Sequence, residues 1–183
     1  MSLRAAFRAP RTSSLRKRAA VLAAGVGVTA VVGSGIASAA TPGAAAWVDP
    51  VKKYTLSASF AQSGGLWSAK HSGQDFAVPT GTDVVAAHGG TVVKAGGNGA
   101  GDGPAYGNAV VVRHGNGQYS QYAHLSRVDV RPGQVVRTGQ HIGLSGSTGN
   151  STGPHLHFEI RTTPNYGSAV NPVAFLRAKG VIV

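Results

Sequence analysis

Residues 153–160 read Gly-Pro-His-Leu-His-Phe-Glu-Ile, and from His155 onward polar and apolar side chains alternate. Such alternation is typical of a β-strand with one face buried. Because residues i and i+2 of a strand share a face, we expect His155, His157 and Glu159 on one side and Leu156 in the core. The stretch therefore predicts a sheet that carries a row of polar side chains.

Similar short β-type runs, separated by glycine-rich turns, follow each other along the chain. They are Tyr54–Phe60, Asp83–Ala87, Thr91–Ala95, Asn108–His114, Tyr119–His124, Gln134–Arg137 and Val181–Val183. His114–Gln118 reads as a hairpin turn, because Asn-Gly adopts positive φ cheaply. A helix is expected at Val173–Lys179, with Asn171-Pro172 as cap and first turn. The pattern predicts an all-β or mostly β antiparallel domain with a short C-terminal helix.

Two segments of the chain resemble each other. Residues 81–92 and 132–143 each read as a turn, a valine-rich strand, a glycine turn and another strand. We interpret them as a duplicated, barrel-sandwich-like β motif. Biotinyl and lipoyl carrier domains contain similar duplications, but Lys94, the candidate for modification in the repeat, lies within a Val/Ala run. A carrier function is therefore disfavoured.

Residues 1–39 have the organisation of a secretory signal peptide. Six basic residues precede an apolar run, 19–36, that ends in the cleavage motif Ala37-Ser38-Ala39. A transmembrane anchor is the alternative, since the run is long enough, although glycines such as Gly25, Gly27 and Gly33 dilute it. Residues 40–53 read as a short linker or propeptide-like segment and 54–183 as the main domain. This organisation predicts a secreted protein with no membrane association after signal cleavage.

Charge and cysteine content narrow the choice of partners and metal ligands. The formal charge is +11, from 17 Lys+Arg and 6 Asp+Glu, and falls to +5 when the six basic residues before Ala39 are removed. This moderate charge gives little support to nucleic-acid binding, and an anionic cell wall or simple solubility accounts for it. The chain has no cysteine, so any metal must be held by His, Asp or Glu.

Two histidine patterns are candidates for a metal site. His71 and Asp75 are four residues apart and point to the same side of an extended stretch, while His155 and His157 share a strand face. Catalytic zinc takes three N/O ligands of this kind and leaves a fourth position for water. Either pattern alone also occurs in structural roles, so the spacing by itself leaves the choice open.

Six sequence blocks occur in an order that identifies a family. The blocks are HSGQDF (71–76), GTDVVA (81–86), YAHL (122–125), GQHIG (139–143), GSTG (146–149) and GPHLHFE (153–159). With them the chain resembles the lysostaphin/LytM-type peptidases of the M23 metallopeptidase family, which are peptidoglycan endopeptidases. The resemblance covers roughly Tyr54–Phe175. Asp83 departs from the family, which often has proline at this position.

The resemblance implies a site and a reaction. His71, Asp75 and His157 would be the ligands of Zn²⁺, with water in the fourth position, and His124 and His155 would be the catalytic pair. The implied protein is a cell-wall-associated, monomeric zinc metalloendopeptidase that hydrolyses peptidoglycan stems or cross-bridges through a zinc-bound water. The alternative is a non-catalytic domain of the same fold that binds wall or activates a hydrolase. Such domains usually lack ligands or catalytic histidines, whereas all five are present here.

Other polar residues receive structural roles or stay open. His88, His114 and His141 are assigned to turn or strand surfaces. Glu159 could orient a zinc ligand, or it could be a solvent-facing or structural residue. Tyr122 could line the groove and donate to an oxyanion.

Overall fold

The computed structural model describes residues 46–65, 67 and 69–183, so the signal-peptide interpretation of 1–39 lies outside the described residues. The regular elements of this part are short strands and one α-helix. They are β1 (Thr55–Leu56), β2 (Gln74–Ala77), β3 (Asp83–Val85), β4 (Gly90–Gly96), β5 (Asn108–Arg113), β6 (Tyr119–Leu125), β7 (Arg127–Val128), β8 (Val135–Val136), β9 (His141–Leu144), β10 (His155–Arg161), β11 (Ala169–Val170) and α1 (Pro172–Ala178). Two short 3-10 helices, Asn98–Gly101 and Pro104–Tyr106, connect β4 to β5.

The strands form two antiparallel sheets. The large sheet has the order β1-β2-β10-β6-β5-β4-β8, with β11 also paired to β10, and the small sheet has the order β3-β9-β7. The prediction of a mostly β, antiparallel domain with a short C-terminal helix is therefore confirmed. Strand β10 lies between β2 and β6, so that His157 has Asp75 on one side and Ala123 on the other. This register brings three distant parts of the sequence to one place.

The two similar segments pair with each other. Strand β3 pairs with β9 and strand β4 pairs with β8, so each strand of residues 81–92 meets one of residues 132–143. The valines and the isoleucine of the two segments are buried in the core, namely Val84, Val92, Val136 and Ile142. The duplication read from the sequence therefore forms one side of the hydrophobic core.

Strand β10 is buried on both faces. Leu156, Phe158 and Ile160 are fully buried in the core, as the alternation predicts. The opposite face is also buried, although it carries His157 and Glu159. A polar face that is removed from water needs partners for its hydrogen-bonding groups.

Residues 46–53 contribute to the core, although their sequence reads as a linker or propeptide-like segment. Trp47 and Val51 are buried, and the backbone of this segment pairs with the start of the domain through Val48 N–H to Ala87 O and Val85 N–H to Pro50 O, each 2.9 Å. Trp47 packs edge-on against Phe175 of helix α1. The folded unit therefore includes this segment.

The ends of the expected elements differ in a few places. Strand β1 is two residues long, where Tyr54–Phe60 was expected, and residues 181–183 are not a strand. Helix α1 begins at Pro172, and the side chain of Asn171 accepts a hydrogen bond from Ala174 N–H at 3.0 Å, as the cap prediction requires. No helix in the part of the chain that the structure covers has the length and hydrophobicity to cross a bilayer.

Candidate metal centre and active site

Three buried side chains from β10, β2 and the loop before β2 bring their ligand atoms together. His157 Nδ1 lies 2.9 Å from Asp75 Oδ1 and 3.0 Å from His71 Nε2, and His71 Nε2 lies 3.2 Å from Asp75 Oδ1. Ligands of a tetrahedral zinc ion with bonds of 2.0–2.1 Å are about 3.3 Å apart. The group of His71, Asp75 and His157 could therefore hold a metal ion of this size with little movement.

The outer nitrogens of both imidazoles are held by acceptors. His71 Nδ1 donates to the carbonyl of Ser59 at 3.0 Å, and His157 Nε2 donates to Glu159 Oε1 at 2.9 Å. The carbonyl and the carboxylate only accept, so His71 Nε2 and His157 Nδ1 are the nitrogens that, once deprotonated, would direct their lone pairs at a metal ion beside Asp75. Metal-binding histidines are oriented in this way.

The backbone of Gly73 packs so closely against strand β10 that this position requires a glycine. A Cβ at this position would lie 2.5 Å from the Phe158 carbonyl oxygen and 2.8 Å from the His157 ring. Any larger residue would therefore displace either the backbone of β10 or the His157 imidazole.

The charges at this group favour a cation. Burial alone would raise the pKa of Asp75, but hydrogen bonds from His157 and His71 hold it well below its ordinary value. Burial also opposes a charge on His157, yet Asp75 and Glu159 raise the pKa of His157 to about 9. Without a metal, a proton on His157 supplies the positive charge between two carboxylates. The donor set fits a divalent cation for the same reason.

Glu159 is fully buried and belongs to a chain of polar contacts behind His157. Tyr106 donates its hydroxyl proton to Glu159 Oε1 at 2.8 Å, and Arg161 donates to Glu159 Oε2. Arg161 also donates to Asp102, which links strand β10 to the loop between β4 and β5. Of the roles that the sequence leaves open for Glu159, the structure excludes the solvent-facing one. Among the described residues, every buried side-chain nitrogen and oxygen has a hydrogen-bond partner.

His124 and His155 lie beside the three candidate ligands. Their ring centroids are 4.6 Å apart, and the His124 ring is 5.7 Å from that of His157. Each Nδ1 donates to a backbone carbonyl at 2.7 Å, that of Thr148 for His124 and that of Gly153 for His155. In the neutral form of either ring, Nε2 is then the nitrogen that carries the lone pair. Burial, together with the nearby His157, lowers the pKa of His124 to about 4, so His124 is neutral at pH 7 and can accept a proton.

A β-bulge turns His124 toward the site. Asn108 of β5 pairs with Leu125 and Val110 pairs with Tyr122, so Ala123 and His124 together oppose one residue of β5. His124 has φ 60°, in the left-handed region. In a regular strand His124 would share a face with Tyr122, which is fully buried in the core. The extra residue moves the imidazole to the face that carries His157.

The bulge predicts an unusual order of stability for two variants. At φ 60° alanine is strained and glycine is not, so we expect His124→Gly to be more stable than His124→Ala by about 1 kcal/mol. Both variants lose the imidazole, and the difference in their free energies of unfolding in urea isolates the backbone. Ser120, in the regular part of the same strand, is the control, because glycine should there be the less stable by about 0.5–1 kcal/mol. If alanine were the more stable residue at both positions, His124 would not be strained.

The five residues line a cavity of about 420 Å³ with aromatic walls that the sequence analysis missed. Trp67, Tyr106 and Tyr166 line it together with Lys70 and Thr152. The Trp67 ring lies 4.8 Å from that of His71, and the Tyr106 ring lies 5.5 Å from that of His157. These aromatic residues are outside the β-strands, where no periodicity marks them.

The prediction that Tyr122 lines the groove is wrong. Its hydroxyl accepts a hydrogen bond from Ala87 N–H at 2.7 Å and another from Ser120, and its ring packs against Phe158 in the core. Strand alternation, which holds up to Tyr122 and fails after it at the bulge, explains why Tyr122 and His124 face opposite ways.

The remaining histidines are remote from the cavity lining. His141 is partly exposed and bridges Asp83 and Asp129, which gives the non-consensus Asp83 a structural partner. His88 is also partly exposed. The surface assignment is wrong for His114, which is buried between the carbonyl of Gly89 and the hydroxyl of Ser120.

Comparison with known proteins identifies the class. The model of peptidase family M23 matches residues 69–172, and the chain belongs to this family. It is 49% identical over 92 residues to the peptidoglycan DD-endopeptidase ShyA of Vibrio cholerae, which covers 50% of this chain and 20% of that protein. It is 40% identical over 119 residues to lysostaphin of Staphylococcus simulans, covering 63% of this chain and 23% of that protein.

A solved structure is similar over nearly its whole length. The catalytic domain of lysostaphin from Staphylococcus simulans superimposes with a TM-score of 0.62 and 35% identity, covering 68% of this chain and 92% of that one. The chain spans only 20% and 23% of the full lengths of ShyA and lysostaphin. The fold is thus that of the lysostaphin catalytic domain.

Proposed function

We propose that this chain is a secreted zinc metalloendopeptidase that hydrolyses peptide bonds of bacterial peptidoglycan. His71, Asp75 and His157 are the proposed zinc ligands, and His124 and His155 the proposed catalytic pair. The observation that carries the proposal is the arrangement of four imidazoles around Asp75. Each ring has one nitrogen held by an acceptor, which leaves its other nitrogen for a metal ion or for proton transfer. The names of the relatives, a peptidoglycan DD-endopeptidase and lysostaphin, supply the substrate class.

The proposed zinc would supply a Lewis acid that activates water as a nucleophile near neutral pH. His124 and His155 would act as general base and as general acid or oxyanion stabiliser. One accepts the proton of the attacking water through Nε2, and the other stabilises the developing oxyanion or protonates the leaving amine. The Nδ1 bonds to Thr148 and Gly153 hold each ring in the tautomer that these roles require.

The cleft beside these residues suits an extended peptide. Trp67, Tyr106 and Tyr166 offer apolar walls, and Tyr166 is 54% exposed at the edge of the cleft. Lys70 lines the same cavity and is exposed, so it can meet a carboxylate of the substrate. We propose that residues 1–39 direct export as a signal peptide and that residues 46–53 belong to the domain that carries this cleft.

Two other functions have less support. A non-catalytic wall-binding domain does not need two histidines beside the proposed metal ligands, each with its ring oriented by a backbone carbonyl. A biotin or lipoyl carrier needs an accessible lysine, whereas Lys94 donates to Asp102 Oδ1 at 2.7 Å and to Asn165 Oδ1 at 3.0 Å.

Removal of the metal tests the proposal. We expect the purified protein to contain about one zinc per chain and to release new amino groups from purified peptidoglycan. A chelator should stop this release and added zinc should restore it. Absence of zinc would refute the ligand assignment. Bound zinc without cleavage of peptidoglycans of several cross-bridge types would instead favour the non-catalytic function.

A further inference from the structure

Thr148, in the loop between β9 and β10, makes three hydrogen bonds at the bulge of β6. Its hydroxyl donates to the carbonyl of Leu125 at 2.9 Å and accepts from the backbone N–H of Asn108 at 3.0 Å. Its carbonyl accepts from His124 Nδ1 at 2.7 Å. One residue therefore joins strand β5, strand β6 and the imidazole of His124.

Glycines around Thr148 allow this close approach. A Cβ at Gly107 would lie 2.3 Å from the Thr148 hydroxyl oxygen, and one at Gly149 would lie 2.4 Å from the Ala105 carbonyl oxygen. On the other side of the loop, a Cβ at Gly146 would lie 2.8 Å from the His124 carbonyl oxygen. The loop thus packs directly against the backbone of the bulge and of the 3-10 helix Pro104–Tyr106, with no space between them for a side chain.

The bulge needs such support, because His124 occupies a left-handed conformation that histidine rarely adopts. A residue in this conformation persists where the surrounding structure holds it there. Hydrogen bonds at Asn108 and Leu125, which flank the bulge on the two strands, are suited to hold it.

We propose that Thr148 is a positioning residue, which fixes the backbone bulge through its hydroxyl and the tautomer of His124 through its carbonyl. The catalytic consequence rests on the proposed function, whereas the effect on the His124 ring does not. The hydroxyl matters because one oxygen both donates and accepts. Valine has the same shape without either capability, and serine keeps both.

The test compares Thr148→Val with Thr148→Ser in the purified full chain. In Thr148→Val the side chain of Asn108 still donates to the Leu125 carbonyl at 2.9 Å, so the strands remain joined and the zinc content should stay the same. We expect kcat on a soluble cross-linked stem peptide to fall about 10- to 100-fold with KM little changed, because small displacements of a catalytic group have effects of this size. Thr148→Ser should stay within about threefold of the parent, since its oxygen is retained.

The ring of His124 gives a readout that is independent of turnover. In ¹⁵N NMR spectra the parent and Thr148→Ser should have the proton on Nδ1. Thr148→Val should have a mixture of tautomers, because it loses the two hydroxyl hydrogen bonds that hold the Thr148 carbonyl against His124. An unchanged tautomer and kcat in Thr148→Val, or equal damage from valine and serine, would overturn the proposal. If the parent cleaves no peptidoglycan, the proposed function fails and the tautomer comparison alone decides on Thr148. Should Thr148→Val not fold, Thr148→Ala removes the same oxygen and is judged by the same two measurements.

Discussion

The variant His157→Ala is expected to bind no zinc and to hydrolyse no peptidoglycan. His157 Nδ1 is within 3.0 Å of the donor atoms of both other candidate ligands, so its loss leaves only His71 and Asp75. Loss of an outer partner of a ligand already lowers metal affinity about 10- to 100-fold, and loss of the ligand should exceed this. Zinc content after dialysis and the rate of amino-group release measure the two effects.

His157→Ala should also be less stable. The imidazole lies between the carboxylates of Asp75 and Glu159, and its removal leaves these buried charges with fewer partners. Breaking a buried ion pair from one side costs about 3–5 kcal/mol, which urea unfolding can measure. His141→Ala is the matched control, because His141 pairs with two carboxylates outside the cleft. Zinc content and activity should be unchanged there, and zinc retained by His157→Ala would exclude His157 as a ligand.

His124→Ala is expected to keep its zinc and to lose turnover by about 10²- to 10⁴-fold, the usual contribution of a general acid or base. His124 does not belong to the group of three candidate ligands, so the variant should retain the metal. The loss should fall on kcat, because His124 acts on protons in the transition state rather than on substrate binding.

The double variant with His155→Ala sharpens this prediction. If His124 and His155 act as a unit, removing both should cost about as much as removing one. Zinc content and the kcat of both single variants and the double variant decide the matter. A fully active His124→Ala would show that the catalytic roles are assigned wrongly.

The regular parts of the fold could be predicted from the sequence because alternation is a local property. Leu156 and His157 face opposite sides of β10, as their spacing requires. Alternation could not predict that His71 and Asp75 lie next to His157, because this contact depends on β2 pairing with a strand some 80 residues later. Only the order of sequence blocks, through the family, pointed to it.

The errors have local physical causes. Strand parity places His124 with Tyr122, and nothing in the sequence marks the bulge, because its left-handed residue is a histidine rather than a glycine. His114 was expected at the surface because histidine is seldom fully buried. Trp47, which packs against its ring, lies in a segment that reads as a linker, so the sequence does not indicate this cover. The role of Glu159 could not be predicted, because the sequence does not show which residues from other parts of the chain pair with its buried carboxylate.

The position of β10 in the sheet has a consequence for the order of synthesis. Strands β2 and β6, which carry Asp75 and His124, pair with β10 and not with each other. A chain that is still emerging, amino terminus first, therefore has His71, Asp75 and His124 but no strand to join them until residues 155–161 have appeared. The proposed enzyme would thus stay inert in a nascent chain and would become competent only after residues 155–161 have been synthesised and paired.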